Sequence, residues 1–244
     1  MNEVKSLEHY KWIAEETDKL EAMSKDWNGN FVSCCIPKRY EAYCKLLHPL
    51  YTDKLVIDKS IMWNSDNENE EFIQGGRISY KDLAKEYGLQ YTKEISIKTI
   101  WRACGQKFSR YLSGAEEGNI DVDTCKRIIE LLLPFTKNQQ CYFYYYFLKT
   151  NDWTEDINTD GKLFKGNLED VLRFYQYENV NGSPTYWWAE DKSWCVCTDY
   201  DLTFTLIGGT KAMIDSFLVD NFLECIEVNA NTRIDYKADE QNLQ

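Results

Sequence analysis

Apolar positions along the chain alternate between a helical repeat and a strand repeat. Leu7, Tyr10, Ile13, Ala14, Leu20 and Met23 recur at three- and four-residue spacing and predict a helix over 3–23. The segment 25–30 (KDWNGN) breaks it with Asn-Gly turn chemistry. Tyr40, Ala42, Cys44, Leu46 and His48 alternate and predict a strand over 40–48, with a helix from Arg39 to Leu47 as the competing reading. Pro49 ends either one. The acidic stretch 64–71 (NSDNENEE) reads as an exposed loop. Ser79 and Asp82 then punctuate a helix over 79–87, closed by Gly88. Residues 93–112 predict a short extended piece followed by a helix near Gln106–Leu112.

The second half is more legible. Val122, Cys125, Ile128, Ile129 and Leu132 form one stripe of an amphipathic helix that stops near Pro134. The nearly all-aromatic run 141–149 (CYFYYYFLK) predicts a strand buried on both faces. A short strand over Lys162–Phe164 and a helix over 168–176, capped by Asn167, follow. Thr185–Trp188 and Trp194–Thr198 flank a turn at 190–193, and Leu202–Ile207 adds a third strand. Gly208-Gly209 reads as a tight strand-to-helix turn into 211–218. Glu224–Val228 closes the pattern, and the tail after Asn229 is expected to fray.

These elements define an α+β fold: a mostly antiparallel sheet with flanking helices in a single domain. The expected organisation is a helical segment at 1–32, the main domain at 33–230 and a polar tail at 231–244.

Composition narrows the function classes. In 244 residues there are 17 Tyr, 11 Phe and 8 Trp, enough aromatic area for a substantial core. The net charge of −12 disfavours nucleic-acid backbones and anionic membranes and favours a basic protein partner. The 9 cysteines are odd in number and irregularly spaced, with no CxxC. That fits free thiols packed in a reducing cytoplasm. No signal-peptide pattern and no spanning apolar run is present.

Four segments appear in a telling order: IPKRYEAYCKLLHPLY, GRISYKDLAKEYG, CYFYYYFLKTNDW and YWWAEDKSWCVCTDYDLTFTLIGGTKAMIDSFL. This order resembles a family of bacterial hypothetical proteins found in actinobacteria and bacilli. Its members carry a His-Pro segment, a Trp-Trp-x-x-Asp-x-x-Trp block, an acidic position and Gly-Gly. The resemblance covers about residues 33–228, with Tyr80 and Phe204 standing where the family has Trp. It implies a shared fold and no particular activity, cofactor or catalytic residue.

Candidate chemistry gathers around the Trp-rich hairpin. Strand alternation puts Trp194, Val196, Thr198 and Tyr200 on one face and Cys195, Cys197, Asp199 and Asp201 on the other. Trp187 and Trp188 point to opposite faces, so one is expected to be partly exposed unless a helix covers that side. The functional reading is an aromatic binding surface of Trp187, Trp188 and Trp194 rimmed by Glu190, Asp191, Asp199 and Asp201. The competing reading fills the core with the same rings. Asp199 and Asp201 could hold Mg²⁺ or share a proton, but Asp beside a turn usually serves the backbone. Cys195-x-Cys197 lacks the further ligands that zinc needs. His48 could act as a base, alone or with Cys44, yet no nucleophile motif accompanies it. No metal or cofactor is implied.

The leading expectation is therefore an intracellular binding protein, immunity-type or regulatory, that masks a basic partner. The alternatives are a hydrolase-like or transferase-like enzyme using His48, Asp191, Asp199 and Asp201, or a small-ligand sensor. The enzyme reading requires those four residues to meet in one pocket.

Overall fold

The computed structural model describes residues 1–20, 27–64, 70–107, 109–146, 161–176 and 182–242. Its strands are β1 (Asn2–Val4), β2 (Ala42–Leu47), β3 (Leu50–Asp53), β4 (Gln74–Ile78) and β5 (Cys141–Tyr145). They continue with β6 (Lys162–Gly166), β7 (Tyr186–Ala189), β8 (Cys195–Cys197), β9 (Phe204–Gly209) and β10 (Cys225–Val228). Eight of them form one sheet in the order β1-β6-β5-β7-β8-β9-β2-β10, while β3 and β4 pair separately. Every pairing is antiparallel. The fold is thus α+β with an antiparallel sheet, and β7-β8-β9 is the meander at its centre.

Both faces of that sheet are covered. The helices are α1 (Lys11–Glu16), α2 (Val32–Cys35), α3 (Tyr80–Glu86), α4 (Ile97–Ala103), α5 (Val122–Thr136) and α6 (Lys211–Leu218). On one face, Phe143, Trp187, Val196 and Ile207 pack with Ile128, Ile129 and Leu132 of α5 and with Met213, Ile214 and Phe217 of α6. On the other, Tyr142, Tyr186, Trp188, Cys195 and Cys197 pack with Trp12 and Ile13 of α1, Val32 and Cys35 of α2, Leu83 of α3 and Ile100 of α4. Strand alternation thus feeds a separate core on each side.

This double cover corrects the reading of the tryptophans. Trp187, Trp188 and Trp194 are 0%, 1% and 0% exposed, so none of them belongs to a contact surface. Trp194 meets Trp187 edge-on at 6.1 Å between ring centroids, and Trp188 stacks on Tyr142 at 5.4 Å. The N-terminal segment supplies the missing cover, with Trp12 against Trp188 and Tyr10 stacked on Tyr144. Each buried indole contributes about 4–6 kcal/mol of gross apolar burial.

Other expectations are corrected as well. The predicted helix at 3–23 resolves into β1, a 3-10 turn at Leu7–His9 and the short α1. Pairing of β1 with β6 overrides the helical spacing, and Thr17 ends α1 with an extended backbone whose hydroxyl bonds the Ile13 carbonyl. Met23 lies outside the described residues. Helix α4 occupies 97–103, where an extended piece was expected, and capping by Ser96 and Thr99 explains it. The helix expected near 106–112 does not form: Gln106 has positive φ, and Ser109 and Leu112 make bridges to Met62 and Thr52.

Helix α5 continues through Pro134 to Thr136. Proline removes one N–H near the helix end, where loss of a bond costs least. The 168–176 element is a 3-10 helix. Gly208 and Gly209 lie inside β9 opposite Tyr43 and Ala42, and Thr210 caps α6. A Cβ on Gly208 would sit 2.5 Å from Tyr40 Cδ2, so close packing, and no phosphate cradle, accounts for the glycine.

The segment after Asn229 is docked instead of frayed. Asp239 is buried and accepts from the Thr92 and Thr99 hydroxyls at 2.7 and 2.8 Å. Asp235 accepts from the Asn30 amide at 2.9 Å, which ties the tail to the N-terminal third.

Candidate functional site

The predicted site residues divide between the two ends of the sheet. His48 follows β2, and its backbone N–H donates to the Thr203 carbonyl just before β9. Asp199 and Asp201 follow β8 at the same end. Glu190 and Asp191 lie in the β7–β8 turn at the opposite end. The four residues of the enzyme reading therefore do not meet in one pocket.

His48 is fully buried, and both ring nitrogens are engaged. Nδ1 lies 2.7 Å from the Glu116 carbonyl oxygen, and Nε2 lies 3.0 Å from Thr205 Oγ1. A carbonyl only accepts, so Nδ1 carries the proton and Nε2 accepts from the Thr205 hydroxyl. Thr205 in turn accepts from Thr198 Oγ1 at 2.8 Å. The relay runs one way, from Thr198 through Thr205 and His48 to Glu116. Burial pushes the His48 pKa down to about 4, against the opposing Glu116 bond, so the ring is neutral at pH 7. No nitrogen remains for a substrate. Cys44 offers no dyad either, because burial raises its thiol well above the usual range.

His48 instead fixes the position of a loop. Its bond to Glu116 pins residues 113–121 beside the 199–202 turn. Gly118 N–H donates to the Leu202 carbonyl at 2.9 Å, and a Cβ on Gly118 would run into the Tyr200 backbone. Its φ of +65° also suits glycine. Glu116, Glu117, Asp199 and Asp201 are thereby brought to one end of the sheet. None of the four makes an ion pair among the described residues. Burial, aided by the Asp201 charge, pushes the Asp199 carboxyl up, while the Asp201 N–H bond opposes the shift. Tyr146 and Tyr200 stack beside them at 6.0 Å, and both are partly exposed.

The opposite end neutralises its carboxylates. Glu190 is ion-paired with Lys165. Asp191 accepts from the Ser193 amide at 2.9 Å. Burial would raise the Asp191 carboxyl, but its hydrogen bonds with Ser193 and Gln139 prevail and hold it below the usual range.

A cavity of about 150 Å³ adjoins His48 at the loop end. Its lining includes Tyr51, Phe72, Ser113, Gly114, Glu116 and Asp121. Elsewhere, among the described residues, no cluster of three or more His, Cys, Asp or Glu could hold a metal ion. None of the 9 cysteines forms a disulfide. No helix among the described residues is long and apolar enough to cross a membrane.

Several residues here escaped sequence reasoning. Glu116 and Glu117 drew no reading from the sequence, and the adjacent Gly118 is the one local signal that points to a close approach. Lys45 falls on the strand position opposite the apolar alternation and would be read as exposed, yet it is 1% exposed. Its Nζ donates to the Ile95 carbonyl at 2.8 Å and sits over the Phe204 ring. Burial lowers its pKa to about 7, against the raising effect of Glu94 and Asp239.

Compared with family models, with curated proteins and with solved structures, the chain matches none.

Proposed function

We propose that the chain is a binding protein for a basic protein partner, of the immunity or regulatory kind, and that the partner docks at the loop end of the sheet. The observation that carries this reading is the set of four carboxylates, Glu116, Glu117, Asp199 and Asp201, at one end, none of them ion-paired among the described residues. The repulsion between Asp199 and Asp201 is relieved by an arriving cation, and a net charge of −12 steers such a partner toward the protein. The stacked rings of Tyr146 and Tyr200 place aromatic surface beside the charges. The lack of any disulfide among the 9 cysteines supports a cytoplasmic setting.

The test uses a decalysine peptide titrated over a series of salt concentrations. Asp199→Asn with Asp201→Asn should weaken binding and flatten its salt dependence. Glu190→Gln with Asp191→Asn should leave both nearly unchanged. Equal losses from the two double variants would reduce the effect to bulk charge and sink the proposal.

A further inference from the structure

We propose that the cavity beside His48 receives a single arginine side chain of the basic partner, with Glu116 as the carboxylate that pairs with its guanidinium. This inference rests on the binding-protein reading and assigns it an anchor point. The charged side chains lining the cavity are two carboxylates, Glu116 and Asp121, and no Lys or Arg lines it. Asp121 is already committed: it caps α5 through the Asp123 and Thr124 amides and accepts from the Thr124 hydroxyl and Arg77. Glu116 is different. Its Oε2 accepts from Asn119 Nδ2 at 2.8 Å, and its Oε1 makes no hydrogen bond among the described residues.

The remaining walls suit a planar cation. Phe72 provides aromatic surface, and the Tyr51 ring already carries the Arg77 guanidinium at 5.9 Å, so the wall suits a guanidinium better than a strongly hydrated ammonium. His48 forms part of the wall with both nitrogens consumed, so it offers neither a competing charge nor a free donor. A volume of about 150 Å³ has room for a guanidinium and its last methylene. The position also fits the wider surface, because the 116–118 loop joins the cavity directly to the Asp199–Asp201 turn.

The experiment is an amide NMR titration of the full chain with N-acetyl-arginine amide, and in parallel with its uncharged citrulline counterpart. The expected result is a saturable shift at Ser113, Glu116 and Asn119, with Kd on the order of a few millimolar. The citrulline compound should bind about tenfold more weakly or worse. Glu116→Gln should cost a similar factor, while Glu117→Gln, outside the cavity, should cost little. Gly114→Leu should block the cavity sterically. Open space lies where its Cβ would go, and the NMR spectrum itself reports whether the variant is folded.

Equal binding of the citrulline compound, arginine binding that survives both Glu116→Gln and Gly114→Leu, or no saturable shift would each overturn the proposal. The decalysine titration separates the two readings. If decalysine still depends on Asp199 and Asp201 while arginine ignores the cavity, only the anchor fails.

Discussion

Both ends of the central sheet carry carboxylates, and they treat them in opposite ways. At the turn end, Glu190 has Lys165 and Asp191 has the Ser193 amide, so the charges are consumed in holding a hairpin together. At the loop end, a neutral histidine holds the loop that brings four carboxylates together, and none of them is ion-paired among the described residues. Acidic residues that stabilise a turn and acidic residues kept in reserve look alike in composition. The difference lies in what faces them. A surface that accepts electrostatic strain at one end alone has a direction.

The largest expected effect comes from removing the clamp. His48→Ala leaves the Glu116 carbonyl without its donor and the Thr205 hydroxyl proton without its acceptor beside a void, and should cost about 3 kcal/mol or more in urea unfolding. A loss below about 1 kcal/mol would mean that the loop end is not held through His48.

Acid titration comes next. The His48 pKa is about 4 in the folded chain against an ordinary 6.5, so between these values the unfolded state binds more protons. Its contribution is fully present above pH 6.5 and is lost as pH falls toward 4, amounting to about 3 kcal/mol. His48→Gln should flatten the stability profile in that window, and an unchanged profile would contradict the buried neutral ring.

The turn end should respond more weakly. Asp191→Ala removes one hydrogen bond to Ser193 and should cost about 1 kcal/mol, read by the same unfolding curve.

The smallest effects should differ in sign between the ends. Asp199 has a raised pKa, so its charged form opposes folding at neutral pH. Asp199→Asn should therefore stabilise the chain by a few tenths of a kcal/mol, and Glu190→Gln should destabilise it by a similar amount. Changes of the same sign would erase the contrast between the ends.

The sequence carried much of the sheet and less of the site. Alternation at 194–197 placed Trp194 and Val196 opposite Cys195 and Cys197, and the two cores keep that division. Helix α6 was read at 211–218 from the Gly208-Gly209 turn before it, and the structure adds the Thr210 cap and the buried Met213, Ile214 and Phe217. The N-terminal residues misled because helical spacing is a local signal, whereas the pairing of Glu3 with Phe164 is not. The exposure of Trp187 and Trp188 was undecidable for the same reason: it depends on α5 and α6 covering one face of the sheet and α1 folding back across the other. His48, Asp199 and Asp201 were named as candidates from their residue types. Nothing local showed that His48 would face Glu116, or that Lys45 would be buried beneath residues 94–95.

The strand order also bears on the chain's biogenesis. β2 is flanked by β9 and β10, and β1 waits for β6. While the chain is being synthesised from its N-terminus, β2 has Tyr43, Leu46 and Leu47 ready for burial but neither neighbouring strand yet exists. The two cores can close only after β7, β8 and β9 have been made, so assembly of the sheet is necessarily a late event, and the unpaired edges of β2 are exposed to aggregation until then.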